Sequence, residues 1–85
     1  MEEEMVGKVH KFFAKPSVAA IEITAGALRV GDTLHFRGHT TDFEQTLTSM
    51  QVNNQPVEEA QAGDLIGVQV NARVREHDVV YRVGS

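Results

Sequence analysis

Apolar and polar residues alternate with period two over several short runs, and no stretch sustains the three-and-four spacing of an amphipathic helix. Val18 to Thr24 places Ala19, Ile21 and Ile23 on one side and Glu22 on the other. Thr33 to Arg37 places Leu34 and Phe36 inward, with Thr33, His35 and Arg37 outward. This alternation predicts half-buried strands, as do Met5 to Phe13, Leu65 to Val70 and Val79 to Val83. Phe43 to Val52 changes phase: Phe43, Gln45 and Leu47 share one face, whereas Met50 and Val52 lie on the other. A β-bulge at Thr48-Ser49 is expected to restore the register. Asn53 to Pro56 reads as a loop, and Val57 to Gln61 as either a helical turn or an extended connection.

Three strands are preceded by one device: Gly31-Asp32 before Thr33, Gly63-Asp64 before Leu65, and His77-Asp78 before Val79. Glycine takes positive φ at little cost, and an Asp carboxylate accepts from nearby backbone N–H groups. His77 stands where glycine is expected and is predicted to adopt the left-handed conformation.

The 85 residues form one domain, and 41% hydrophobic composition suits a packed core. Cysteine is absent, which excludes disulfides and thiolate metal sites. Acids outnumber bases by 12 to 8, and Glu2, Glu3 and Glu4 belong to an acidic start expected to be disordered over 1–5. A single β-barrel domain is expected over 6–83, with 84–85 a tail. No basic, apolar leader opens the chain and no run reaches membrane-spanning length, so a cytoplasmic location and no membrane partner are expected.

The ordered turns resemble domain II of elongation factor Tu and its relatives. Leu28 to Leu34 is similar to its L-x-x-G-D step, and Gly7-Lys8-Val9 to its G-x-V opening. Thr46 to Gln51 is similar to its central strand, and Val57 to Val68 to its A-x-x-G-D-x-(apolar)-G step. Arg75 to Val80 resembles the closing G-D step, with His77 replacing the glycine. Small free-standing elongation factor-like proteins share this pattern, and similar barrels also end some collagenase-type peptidases. The resemblance implies an all-β fold, a small closed Greek-key-like barrel of about six strands. It also implies a non-catalytic, translation-associated role. The partners so implied are ribosomal or transfer RNA, or a translation-associated protein.

Candidate chemistry is sparse. A phosphate-binding G-x-x-x-x-G-K-[ST] loop is absent, so the chain alone is expected to bind no nucleotide. No serine or threonine has a nucleophile-elbow context, and neither an enzyme nor a cofactor is expected. His35, His39 and Asp42 are the one candidate metal group, set against a plain reading as a solvated histidine and a turn. Lys8, Lys11 and Lys15 on or just after the first strand and Arg73, Arg75 and Arg82 near the last are the candidate nucleic-acid-binding residues, expected to form one positive area where the terminal segments neighbour each other, interleaved with Phe12, Phe13 and Tyr81. The competing reading buries the phenylalanines and pairs the bases with Glu22, Glu76 and Asp78. Gly38 to Phe43 is a second candidate surface, unless Phe43 anchors the core. The alternative function is a protein-interaction module with no RNA role.

Overall fold

The computed structural model describes residues 2–84, and every regular element among them is a β-strand. There are ten: β1 (Glu3–Phe13), β2 (Val18–Ile23), β3 (Ala27–Arg29), β4 (Thr33–Arg37), β5 (Asp42–Thr46), β6 (Met50–Val52), β7 (Gln55–Val57), β8 (Glu59–Gln61), β9 (Leu65–Gln69) and β10 (Val79–Val83). Eight of them form one sheet in the order β5-β4-β10-β1-β2-β9-β6-β7, and β3 and β8 form a separate two-stranded ribbon. The fold is all-β, but the expected closed barrel of about six strands is not formed. The hydrogen-bonded ladder ends at β5 on one side and β7 on the other.

The phase change between Leu47 and Met50 has a different cause from the bulge expected at Thr48-Ser49. The run breaks, with β5 paired to β4 and β6 paired to β7 and β9. Thr48 and Ser49 are exposed between buried Leu47 and Met50. In a flat sheet of this order, six strand steps would separate β5 from β6, or about 29 Å. The short link from Thr46 to Met50 spans at most about 14 Å. The sheet must therefore curl until its far ends approach. The bulges that accompany the curl sit in β1, where the register shifts at Val6 against β10 and at His10 against β2.

The Gln45 side chain ties the β5 end to the close of β9. It is 9% exposed; its Nε2 donates to the Gln69 carbonyl at 2.9 Å, and its Oε1 accepts from Asn71 N–H at 2.8 Å. A side-chain amide thus supplies, at one point, the donor–acceptor pair that a closed ladder would supply. Inside the curl lies one apolar cluster in which Phe36, Ile21, Ile23, Leu28, Leu34 and Leu47 are the bulkiest members. Phe43 packs against it and stacks on Phe36 at 5.0 Å, so it is a core anchor.

Two further expectations change. The acidic start is ordered: Glu3, Glu4 and Met5 pair with Val83, Arg82 and Tyr81, and Gly84 N–H donates to the Glu2 carbonyl at 2.6 Å. Pairing with β10 overrides the charge that suggested fraying, while Met1 and Ser85 lie outside the described residues. The loop expected at Asn53 to Pro56 is a two-residue hairpin turn. Asn53 and Asn54 have φ of 54° and 65°, the signature of a type I′ connection. Pro56 lies in β7, an edge strand, where its missing N–H is tolerated. Val57 to Gln61 is extended.

The three aspartate corners share one geometry. Arg29 N–H donates to Asp32 Oδ2 at 2.9 Å, Gln61 N–H to Asp64 Oδ2 at 2.9 Å, and Arg75 N–H to Asp78 Oδ2 at 2.8 Å. The aspartate N–H groups return bonds to the same three residues' carbonyls at 3.0, 2.9 and 3.1 Å. The third residue of each turn has positive φ: 105° at Gly31, 99° at Gly63 and 75° at His77. A Cβ at Gly31 or Gly63 would meet nothing within 4 Å, so the demand for glycine comes from the backbone alone.

Gly31→Val is expected to cost about 1–3 kcal/mol, read as a lower urea midpoint at unchanged slope. His77→Gly is expected to stay within about 1 kcal/mol of the parent, because relief of left-handed strain offsets added unfolded-state entropy. Gln45→Leu strips two backbone groups of their partners and is expected to cost about 1–3 kcal/mol by the same measurement.

Candidate functional site

The outer surface of the curled sheet carries two distinct regions. The first is charged. β4 presents His35 outward, and the register places it opposite Glu44 on β5 and Tyr81 on β10. Its Nδ1 lies 2.6 Å from Glu3 Oε2, and its Nε2 lies 2.6 Å from Asp42 Oδ1. The Tyr81 ring lies beside the imidazole, 6.2 Å between centroids. Ligand atoms of Glu3, His35 and Glu44 lie within 4.8 Å of one another.

The short contact with Asp42 raises the His35 pKa above its usual value of 6.5; burial opposes this, and Glu3 adds to it. The same contact lowers the Asp42 pKa from 3.8, with the Arg37 charge assisting. Of the metal group expected from sequence, His35 and Asp42 meet, whereas His39 lies in the turn between β4 and β5 and joins no such cluster among the described residues. Glu3 and Glu44 are the members that sequence reasoning missed. Outward alternation on β5 and a hairpin register pairing Phe36 with Phe43 would have found Glu44.

The second region is apolar. Phe13, Val18, Ala20, Leu65 and Gly67 line a shallow groove with Asn53 and Asn54 at its rim. Phe13 is 44% and Leu65 50% exposed. Gly67 lies within β9, and a Cβ there would stand 3.8 Å from Val18 Cγ1, an ordinary contact. Packing therefore does not demand the glycine, and its effect is to deepen the groove.

The six basic residues do not form one patch. Lys11, Arg73 and Arg75 line one depression with Phe12, Val74 and Glu76. Lys11 Nζ lies over the Phe13 ring at 5.2 Å, and Arg75 Nε donates to Thr40 Oγ1 at 3.0 Å. Arg82 is drawn to the acidic start, 2.9 Å from Glu4 Oε1. Lys8 faces Glu22 across the β1–β2 ladder, and Lys15 lies in the turn between those strands. Of the aromatics, Phe12 packs on the core and Tyr81 on His35. The pairings expected with Glu76 and Asp78 do not form; Asp78 is buried and holds its corner turn.

Comparison with known proteins places these surfaces in context. The family model of elongation factor Tu domain 2 matches residues 17–85. An uncharacterized protease of Methanocaldococcus jannaschii is 44% identical over 77 residues, which cover 89% of this chain and 19% of the relative. A collagenase of Porphyromonas gingivalis is 37% identical over 78 residues, covering 91% of this chain and 22% of that protein. The chain thus spans about a fifth of the curated relatives it matches. Among solved structures, the C-terminal domain of a Geobacillus thermoleovorans protein described as a U32 peptidase superposes with a TM-score of 0.88 at 15% identity. It covers 95% of this chain and 93% of that one. GDP-bound aIF5B from Aeropyrum pernix superposes with a TM-score of 0.63 at 16% identity, over 94% of this chain and 14% of that one.

These findings overturn the expected translation-associated, RNA-binding role. The relatives with substantial identity carry protease and collagenase names, and the likeness to aIF5B extends to the fold alone. The turn and core positions that suggested translation specify a shape, which unrelated functions share.

A pH dependence follows from His35, which faces Glu3, Asp42, Glu44 and Tyr81. A folded-state pKa above the unfolded value gives stability that is complete below about 6.5 and is lost as pH rises through the raised value. In EDTA, thermal midpoints are expected to fall as pH rises from about 6.5 through the raised value. His35→Gln is expected to flatten that slope. An unchanged slope in the variant would remove the assignment to His35.

Proposed function

The chain belongs to the elongation factor Tu domain 2 family, and on that premise we propose that it is a non-catalytic accessory domain of a U32-type peptidase, docking on the peptidase portion through the groove around Gly67. One observation carries this reading. Identity of 44% and 37% to a protease and a collagenase runs across about nine-tenths of this chain while occupying only a fifth of each relative. The greater part of such proteins lies elsewhere, and hydrolysis is assigned there.

The groove suits a protein surface better than a small molecule. It is open and shallow, flanked by two large exposed apolar side chains, and rimmed by the Asn53 and Asn54 amides. Exposed apolar area of this kind is stabilised when a partner covers it, and polar rims fix orientation. A curled sheet bridged by Gln45 acts as a rigid, barrel-like platform, and strands place a docking surface more reproducibly than loops.

The test supplies the 85-residue chain in trans to a U32-type peptidase lacking its own copy of this domain. A one-to-one complex is expected by analytical ultracentrifugation, and Leu65→Glu is expected to weaken it at least about ten-fold, as for a charge placed at the centre of an apolar contact. No association at tens of micromolar, or equal association by the Leu65→Glu chain, would sink the proposal.

A further inference from the structure

We propose that Glu3, His35 and Glu44 form a binding site for a divalent ion of the zinc type, with Asp42 as the partner that orients His35. The inference is independent of the docking proposal and concerns the other half of the outer surface.

The first ground is placement. The three residues come from β1, β4 and β5, and their ligand atoms already lie within 4.8 Å of one another. A tetrahedral ion with bonds of about 2.1 Å holds its ligands about 3.4 Å apart. The remaining closure lies within the reach of the two glutamate side chains, which pivot on flexible stems. One imidazole nitrogen and two carboxylates form a donor set that suits zinc and its neighbours, whereas magnesium and calcium favour oxygen alone.

The second ground is the hydrogen-bond count at His35. Both ring nitrogens face a carboxylate oxygen at 2.6 Å. A neutral imidazole has one N–H, so only one of the two contacts then has a donor. The other sets a nitrogen lone pair against a carboxylate. A cation bound to Nδ1, Glu3 and Glu44 resolves this conflict, while Nε2–H donates to Asp42. That is the usual arrangement of a metal-bound histidine, whose second nitrogen is tied to a carboxylate. The ring is already confined: its side chain is 12% exposed and rests beside Tyr81. Neither Glu3 nor Glu44 has a lysine or arginine partner among the described residues.

Calorimetry with zinc chloride at pH 7.5 tests the site on the 85-residue chain. One equivalent is expected to bind at tens of micromolar or tighter, with a shift of the His35 Nδ1 resonance in a nitrogen-15 spectrum. His35→Asn is expected to abolish this binding and Glu44→Gln to weaken it at least about ten-fold. Asp42→Asn is expected to weaken it by about 10–100-fold, as second-partner losses do. Circular dichroism checks that each variant keeps its sheet. Should His35→Asn unfold, Glu44→Gln decides, because Glu44 is exposed on an edge strand. Absence of binding at millimolar zinc overturns the proposal. So does binding unchanged in Glu44→Gln.

Discussion

The architecture depends on one short covalent link. Leu47 to Ser49 joins a strand at one end of the eight-stranded sheet to a strand near the other. A flat sheet cannot satisfy that link, so the chain either curls or does not fold. Curling gathers the alternating apolar residues of six strands into one interior, and it makes two demands in return. The sheet must bend, which the register shifts at Val6 and His10 accompany in β1, the longest strand. The approaching ends must also be satisfied without a ladder between them. Gln45 meets part of this demand by tying the β5 end to Gln69 and Asn71 at the close of β9 with both halves of its amide, and this explains a buried polar side chain at a position that the alternation assigns to the core.

Against this constraint the aspartate corners act locally. Each supplies a paired bond between its aspartate and the residue three positions earlier, and each places positive φ at the intervening position. The corner at Asp78 shows what is essential. It keeps the carboxylate bond of the other two while tolerating a histidine where they use glycine. The carboxylate is the constant element, and glycine is the least strained way of making room for it.

What could be read from the sequence follows from this division of labour. Positions that repeat a local rule were legible: the alternation of Ala19, Ile21 and Ile23, the three corners, and left-handed His77. Positions fixed by distant partners were not. Ala27–Arg29 and Glu59–Gln61 are strands because they pair with each other, and neither carries a pattern of its own. Glu3 looked like a frayed acid because its partners, Val83 and His35, are far away in sequence. The basic residues looked like one patch because β1 and β10 are adjacent, but alternation and local pairing send Arg82 to Glu4 and Lys11 to Phe13. The functional misreading had the same root. Corners and core residues specify a curled sheet, and a similar fold occurs both in aIF5B and in the C-terminal domain of a U32 peptidase.

The curl also separates the two candidate surfaces. The apolar groove lies over β2, β9 and β6, whereas His35 and its carboxylates lie over β1, β10, β4 and β5. Sheet order places these sets side by side, and curvature turns them to face different directions. A partner seated on the groove would therefore leave His35 open to solvent, so docking and ion binding need not compete. They share β1, which ends at Phe13 beside the groove and begins at Glu3 beside His35. Both bulges lie between those ends. Whatever fixes Glu3, a proton on His35 or a cation between them, restrains the start of the strand whose far end supports the apolar face. Any coupling between the two surfaces has its shortest route along β1, past the irregular positions Val6 and His10.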